Sequence, residues 1–137
     1  MIRRIRADDR ERYLRMARDF YHSDAVDHSL PESYYEDTFA ELMRSDAYAS
    51  AYILEYEGRP AGYALLARTF SQEAGGPVIW LEELYVEPSC RGCGLGREFL
   101  DFLCGGGAGP YRRLRLEAED DNRRAISLYR RMGFTRL

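Results

Sequence analysis

Seven residues, Arg91-Gly92-Cys93-Gly94-Leu95-Gly96-Arg97, place three glycines at every second position between two arginines. That pattern suits an anion. Glycine lets backbone amides turn into one concavity, and the first turn of a helix leaves its amide hydrogens free with a partial positive charge. A glycine-rich turn that opens a helix therefore binds phosphate. Arg91 adds a full charge. The flanks supply the strand and the helix. Val78 to Val86 has the β-branched and aromatic content of a strand, and Pro88, with no amide hydrogen to donate, stops it. Leu95, Phe99, Phe102 and Leu103 then recur as one apolar helical face. Two other phosphate loops are excluded by the letters. A P-loop ends Gly-Lys-Ser/Thr, where this chain has Gly96-Arg97-Glu98; the Gly-x-Gly-x-x-Gly fingerprint meets Arg97 when counted from Gly92 and Phe99 when counted from Gly94.

A second stretch, Leu116 to Phe134, carries Asn122-x-x-Ala125-x-x-Leu128-Tyr129-x-x-x-Gly133-Phe134. Asn122 suits an N-cap, Ala125, Ile126, Tyr129 and Met132 make an apolar helical stripe, and Gly133 ends it. With Leu84-Tyr85-Val86 followed by Arg91-x-x-Gly94-x-Gly96, this order of motifs resembles the GNAT family of N-acetyltransferases. The resemblance covers about Ile2 to Phe134 and is specific from Leu81 onward. It implies an α/β (α+β) fold over a single domain, 1–137. The expected architecture is a central mixed, mostly antiparallel sheet flanked by about four helices, with a splayed cofactor cleft and a short or missing C-terminal strand.

The implied reaction moves the acetyl group of acetyl-CoA directly to a primary amine, with a small cationic acceptor expected. Peptide or protein N-terminal acetylation and a non-catalytic acetyl-CoA-binding module are the alternatives. An alkylammonium must lose its proton near pH 7, which costs roughly 4 to 5 kcal/mol unless a base helps. By resemblance to a polyamine-acetylating branch the base is Glu82; by resemblance to a branch acting on ribosomal-protein N-termini it is Glu117. A strict period of two puts Glu82 on the face of Trp80 and Leu84, and Glu83, a third candidate, on the face of Leu81 and Tyr85. The family pattern gives Tyr129 the role of protonating the departing thiolate. It also gives the backbone of Leu84, Tyr85 and Val86 to the pantetheine arm, the loop Arg91, Gly92, Cys93, Gly94, Leu95, Gly96 and Arg97 to the pyrophosphate, and Asn122 to the cofactor. Arg123, Arg124 and Arg130 are candidates for its 3'-phosphate.

Upstream elements must build the acceptor wall. Ile2 to Ala7 alternates as a strand, and Asp8 or Asp9 caps a helix to Tyr21 with Tyr13, Leu14, Ala17 and Phe20 or Tyr21 inward. A loop with Asp24, Asp27 and His28 leads to a second helix opened by Pro31, with Tyr35, Phe39, Leu42 and Met43 inward. This acidic, tyrosine-rich region, with Glu32, Tyr34, Glu36 and Asp37, suits a cationic acceptor. Strands follow over about Ala49 to Tyr56, Pro60 to Thr69, Val78 to Val86 and Arg112 to Ala118, the first two joined at Glu57-Gly58-Arg59, and a last helix over Asn122 to Met132.

The net charge of −3 argues against general nucleic-acid affinity, and no apolar run approaches a membrane span of roughly 18 residues. The expected setting is cytoplasmic, without nucleic-acid or membrane partners, and a homodimer would cover an exposed sheet edge. All 20 basic residues are arginine, so no lysine side chain is present to acetylate. Three cysteines, an odd number, fit a reducing compartment. Cys90-x-x-Cys93 lacks companions at zinc spacing, with only Cys104, His22 and His28 left over, so no metal is expected.

Overall fold

A computed structural model describes residues 1–22, 30–118, 120 and 122–136. The loop residues Asp24, Asp27 and His28 lie outside the described residues. Strands β1 (Ile2–Arg4), β2 (Ala49–Tyr56), β3 (Arg59–Ser71), β4 (Gly76–Val86) and β5 (Arg113–Leu116) form one mixed sheet in the order β1-β2-β3-β4-β5. β1 to β4 pair antiparallel and β5 runs parallel to β4. The β2–β3 turn is the two-residue Glu57-Gly58, with φ of 52° and 77°. Two positive φ values give the turn whose twist matches that of the strands it joins.

Helices α1 (Arg10–Tyr21) and α2 (Glu32–Arg44) cover one face of the sheet, where Tyr13, Leu14, Met16, Tyr35 and Phe39 pack on Ile53, Tyr63 and Tyr85. Helices α3 (Leu95–Cys104) and α4 (Arg123–Arg131) cover the other, where Phe99, Leu100 and Leu103 pack on Leu54, Leu66, Ile79 and Leu81. The apolar stripes expected for α1 and α3 are the buried ones. Four expectations are corrected. β1 stops at Arg4 because Ala7–Asp9 turns into a 3-10 segment, and β5 spans only Arg113–Leu116. Met43 is exposed, since α2 turns Leu42 and Phe39 inward instead. On α4 the stripe resting on the core is Leu128, Tyr129 and Met132, whereas Ile126 borders an outer hollow with Arg123 and Arg130.

Asp9 stands at the N-cap position of α1, yet its carboxylate makes no bond to the helix amides. It accepts both terminal nitrogens of Arg3 at 2.9 Å and the Arg6 amide at 2.7 Å, while Arg3 Nε donates to Glu55 at 3.0 Å. The cluster ties β1, the entry to α1 and the end of β2 together in a site where Asp9 is 5% exposed. The Arg3 hydrogen bond holds the Asp9 pKa below the ordinary carboxylate range. A depressed pKa stabilises the fold above the unfolded value of about 3.9, and that contribution is lost as pH falls through the folded value. Asp9→Asn is expected to cost about 3 kcal/mol near pH 7, because it leaves the Arg3 charge partly unpaired. Urea unfolding across pH checks this: the gap to wild type must narrow below about pH 4.

Candidate active site

The pairing of β3 with β4 contains one irregularity. The register runs from Ser71↔Gly76 to Leu66↔Leu81 and resumes at Leu65↔Glu83, which leaves Glu82 opposite no residue. One extra residue in one strand is a β-bulge, and it reverses the facing of everything beyond it. Ile79 and Leu81 face the α3 side, and after the bulge Leu84 and Val86 do, three residues on rather than two. Glu83 consequently shares a face with Tyr85 and Tyr63 but not with Leu81, which corrects the strict alternation. Glu82 is exposed at the bulge itself.

Glu83 lies on the floor of a cavity of about 320 Å³ between α1, α2 and β4, lined also by Tyr13, Tyr21, Tyr34, Tyr35 and Asp37. Volumes of this order accommodate small ligands. The Tyr63 hydroxyl donates to Glu83 Oε1 at 2.6 Å, and the Tyr21 hydroxyl donates to Oε2. Burial pushes the Glu83 pKa upward, against the opposing pull of these two hydrogen bonds. Burial also raises Tyr21 and Tyr63, so both phenols stay protonated donors at neutral pH. The result is a desolvated carboxylate held in place by two hydroxyls, a suitable acceptor for the proton of an amine.

On the other side of β4, parallel pairing with β5 ends at Leu81↔Leu116, while β4 continues to Val86. Among the described residues the segment 82–86 is therefore paired on its β3 side only, an open edge in the cleft where the two strands part. Next to it the loop turns into α3. Gly92 and Gly94 sit at φ of 83° and 85°, the left-handed region that glycine enters without strain, and Gly94 is the N-cap of α3. Arg91 donates its Nε to the Val86 carbonyl at 3.0 Å, which fixes its stem while its side chain remains exposed. A Cβ placed on Gly96 would lie 3.5 Å from Leu128 and 3.8 Å from Leu84, so the start of α3, α4 and the end of β4 converge there.

The remaining candidates are dispersed around this centre. Leu84 and Val86 rest on the α3-side core, Leu95 is buried beneath it, and the Tyr85 ring turns to the α1 side, leaving only its backbone toward the cleft. Arg97 faces solvent near Asp101, at 3.9 Å. Cys93 is exposed. Asn122 caps α4 by accepting the Ala125 amide at 3.3 Å. Tyr129 rests on the α3-side core with its ring 6.2 Å from Phe134, and burial raises its pKa. Glu117 is exposed just beyond β5. Sequence reasoning did not assign Tyr21 or Tyr63 to the site. The one available signal for Tyr63 is its cross-strand pairing with Tyr85, visible only once the register is known.

The fold and both motifs belong to one class. The model of the acetyltransferase (GNAT) family matches residues 10–134, and the chain belongs to that family. It is 37% identical over 98 residues to N-alpha-acetyltransferase 40 of Saccharomyces cerevisiae, covering 66% of this chain and 32% of the yeast protein. It is 32% identical over 85 residues to spermine/spermidine N(1)-acetyltransferase of Bacillus subtilis, covering 59% of this chain and 56% of that protein. The matches thus span about a third and just over half of these relatives' lengths. The structure of AAC(6')-Iy in complex with the bisubstrate analogue CoA-S-monomethyl-acetylneamine shares the fold, with a TM-score of 0.80 at 17% identity, covering 99% of this chain and 90% of that one.

A carboxylate whose folded pKa is raised favours the fold below its unfolded value and costs stability as pH rises through the folded value. Glu83→Gln removes the charge and keeps a hydrogen-bonding group of the same size. Thermal melts of the two proteins are expected to diverge in favour of the variant as pH is raised from about 4. A constant difference across the series would contradict the burial of this charge.

Proposed function

We propose that this domain transfers the acetyl group of acetyl-CoA to a primary amine of a small cationic acceptor, with Glu83 as the base. The observation that carries this reading is the Glu83 carboxylate, half-buried and held by Tyr21 and Tyr63 in a cavity beside the open edge of β4. The residues of the cleft fit the cofactor. The unpaired β4 segment offers backbone donors and acceptors to a pantetheine arm, and the glycine turn at the α3 N-terminus with Arg91 offers amides and charge to a pyrophosphate. Acetyl-CoA supplies the acyl group as an activated thioester. Tyrosine faces and Asp37 at the cavity mouth suit an ammonium, and Glu83 takes a proton from the amine nitrogen. Tyr129, kept protonated by its raised pKa, gives its hydroxyl proton at the sulfur. Support for a small acceptor comes from the likeness to a spermine/spermidine acetyltransferase; the likeness to an N-alpha-acetyltransferase supports a peptide N-terminus as the second reading.

Free-thiol release from acetyl-CoA, followed across polyamines, aminoglycosides, amino acids and N-terminal peptides, tests both readings. Glu83→Gln is expected to lower kcat by about 10²- to 10⁴-fold with one amine class and to abolish the acidic limb of the pH–rate profile. Tyr129→Phe is expected to lower kcat by about tenfold or more, while Glu82→Gln and Glu117→Gln stay within about threefold of wild type. Full turnover in Glu83→Gln would return the role of base to Glu82 or Glu117. Coenzyme A binding without turnover of any amine would favour a cofactor-sensing module.

This reading includes a cytoplasmic homodimer. β5 pairs with β4 on one side only among the described residues, and a bare edge invites pairing. Sedimentation at micromolar concentration should give the mass of two chains; a monomer rejects the pairing.

A further inference from the structure

The dithiol Cys90-x-x-Cys93 has no part in the chemistry above. Cys90 closes the 3-10 turn Pro88–Cys90 and is half-buried against the core beneath α3, while Cys93 is exposed one residue before the Gly94 cap. Arg91 and Gly92 form the turn between them, with Gly92 left-handed. A four-residue turn holds its end Cα atoms within about 7 Å, and a disulfide spans Cα separations of about 4.4 to 6.8 Å. The two thiols thus flank the turn that carries Arg91.

We propose that Cys90 and Cys93 are a peroxide-oxidisable dithiol whose disulfide weakens coenzyme A binding. The second half rests on the reading that the loop from Arg91 to Gly96 holds the pyrophosphate. The burial difference sets the order of events. The exposed Cys93 sulfur attacks a peroxide oxygen, the O–O bond breaks, and Cys93 becomes a sulfenic acid as one water leaves. The Cys90 sulfur then attacks that sulfur, the S–S bond forms, and a second water leaves. Two thiols lose two electrons and two protons, and one hydrogen peroxide is reduced to two waters. The new ring encloses Arg91 and Gly92. It rotates the peptide units whose amides, with the Arg91 charge, would face the anion.

The test uses the full chain carrying Cys104→Ser, which removes the thiol at the far end of α3. Hydrogen peroxide is added, and intact mass, free thiols and coenzyme A affinity by calorimetry are read before and after dithiothreitol. The expected result is loss of two hydrogen atoms in mass, loss of both thiols, and coenzyme A binding weakened about tenfold, the equivalent of about one charge-assisted hydrogen bond. Dithiothreitol restores all three. Cys90→Ser in the same background forms no intramolecular bridge, and peroxide followed by dithiothreitol leaves its coenzyme A affinity where it started. Two persisting thiols at peroxide levels that oxidise glutathione would overturn the proposal, as would a disulfide with unchanged coenzyme A affinity. Reduced protein that binds no coenzyme A would sink the pyrophosphate reading, and with it the second half, while mass and thiol counts still decide the first.

Discussion

Because side chains alternate across a strand with a period of two, the unpaired Glu82 turns the rest of β4 over. Without the bulge, regular alternation would put Glu83 on the face of Leu81 and into the core under α3, where Phe99, Leu100 and Leu103 offer a carboxylate no hydrogen bond. An unpartnered charge there would be far costlier than the one observed. The bulge delivers Glu83 to the opposite face, where two phenols donate to it. It also falls where β5 leaves β4, directly after Leu81↔Leu116. A single insertion thus turns the carboxylate toward one side of the sheet and coincides with the open edge on the other.

The helices that wall the cavity are held by contacts of unequal strength. Arg15 and Arg12 reach Glu87 at 2.6 and 3.9 Å and link α1 to the end of β4, and Arg18 reaches Glu32 at 2.6 Å between α1 and α2. These pairs are half-exposed, and water and salt screen them. Apolar and aromatic packing does more. The Tyr13 ring lies 5.8 Å from Phe39 and 5.2 Å from Tyr63, so one residue of α1 touches both α2 and the strand that supports Glu83. Aromatic pairs of this geometry add about 0.5 to 1.5 kcal/mol beyond the area they bury. The cavity wall is therefore a packed aromatic surface from which the Tyr21 hydroxyl reaches Glu83.

Much of this was legible in the sequence, for identifiable reasons. Pro88, the alternating glycines and the stripe from Leu95 to Leu103 are local signals, and they locate β4, the loop and α3 to within a few residues. Asn122 and Gly133 bracket α4 in the same way. The bulge was not legible, because it depends on which residue of β3 faces which residue of β4, and no local pattern encodes that register. Two adjacent glutamates on a strand signal that one must be buried or bulged, yet periodicity alone selects the wrong companions for Glu83. Tyr21 and Tyr63 are separated from Glu83 by 62 and 20 positions, and tyrosines on amphipathic elements look like ordinary core residues until the faces are assigned. Asp9 misled in a different way: its place before a helix suggests a cap, but Arg3 is a stronger partner for its carboxylate than the helix amides are.

The two residues to which the proposed reaction gives acid–base roles lie on opposite faces of β4. Glu83 points to the side covered by α1 and α2, and Tyr129 rests on the side covered by α3 and α4. Side chains on opposite faces of a continuous sheet cannot serve one reacting centre, because the strands between them block the way. Where β5 departs, the sheet has an edge, and the space beside residues 82–86 adjoins both faces. In the proposed reaction the residues at that edge would hold the thioester, with Glu83 taking a proton from the amine on one side and Tyr129 giving one to the thiolate on the other. On that reading the divergence of two strands would do more than admit a cofactor: it would separate base from acid and let each group keep the environment that sets its protonation. Glu83 needs desolvation and hydroxyl donors, and Tyr129 needs an apolar bed that keeps its proton on. One shared pocket would bring the phenol within reach of the base and let the carboxylate claim its hydrogen bond.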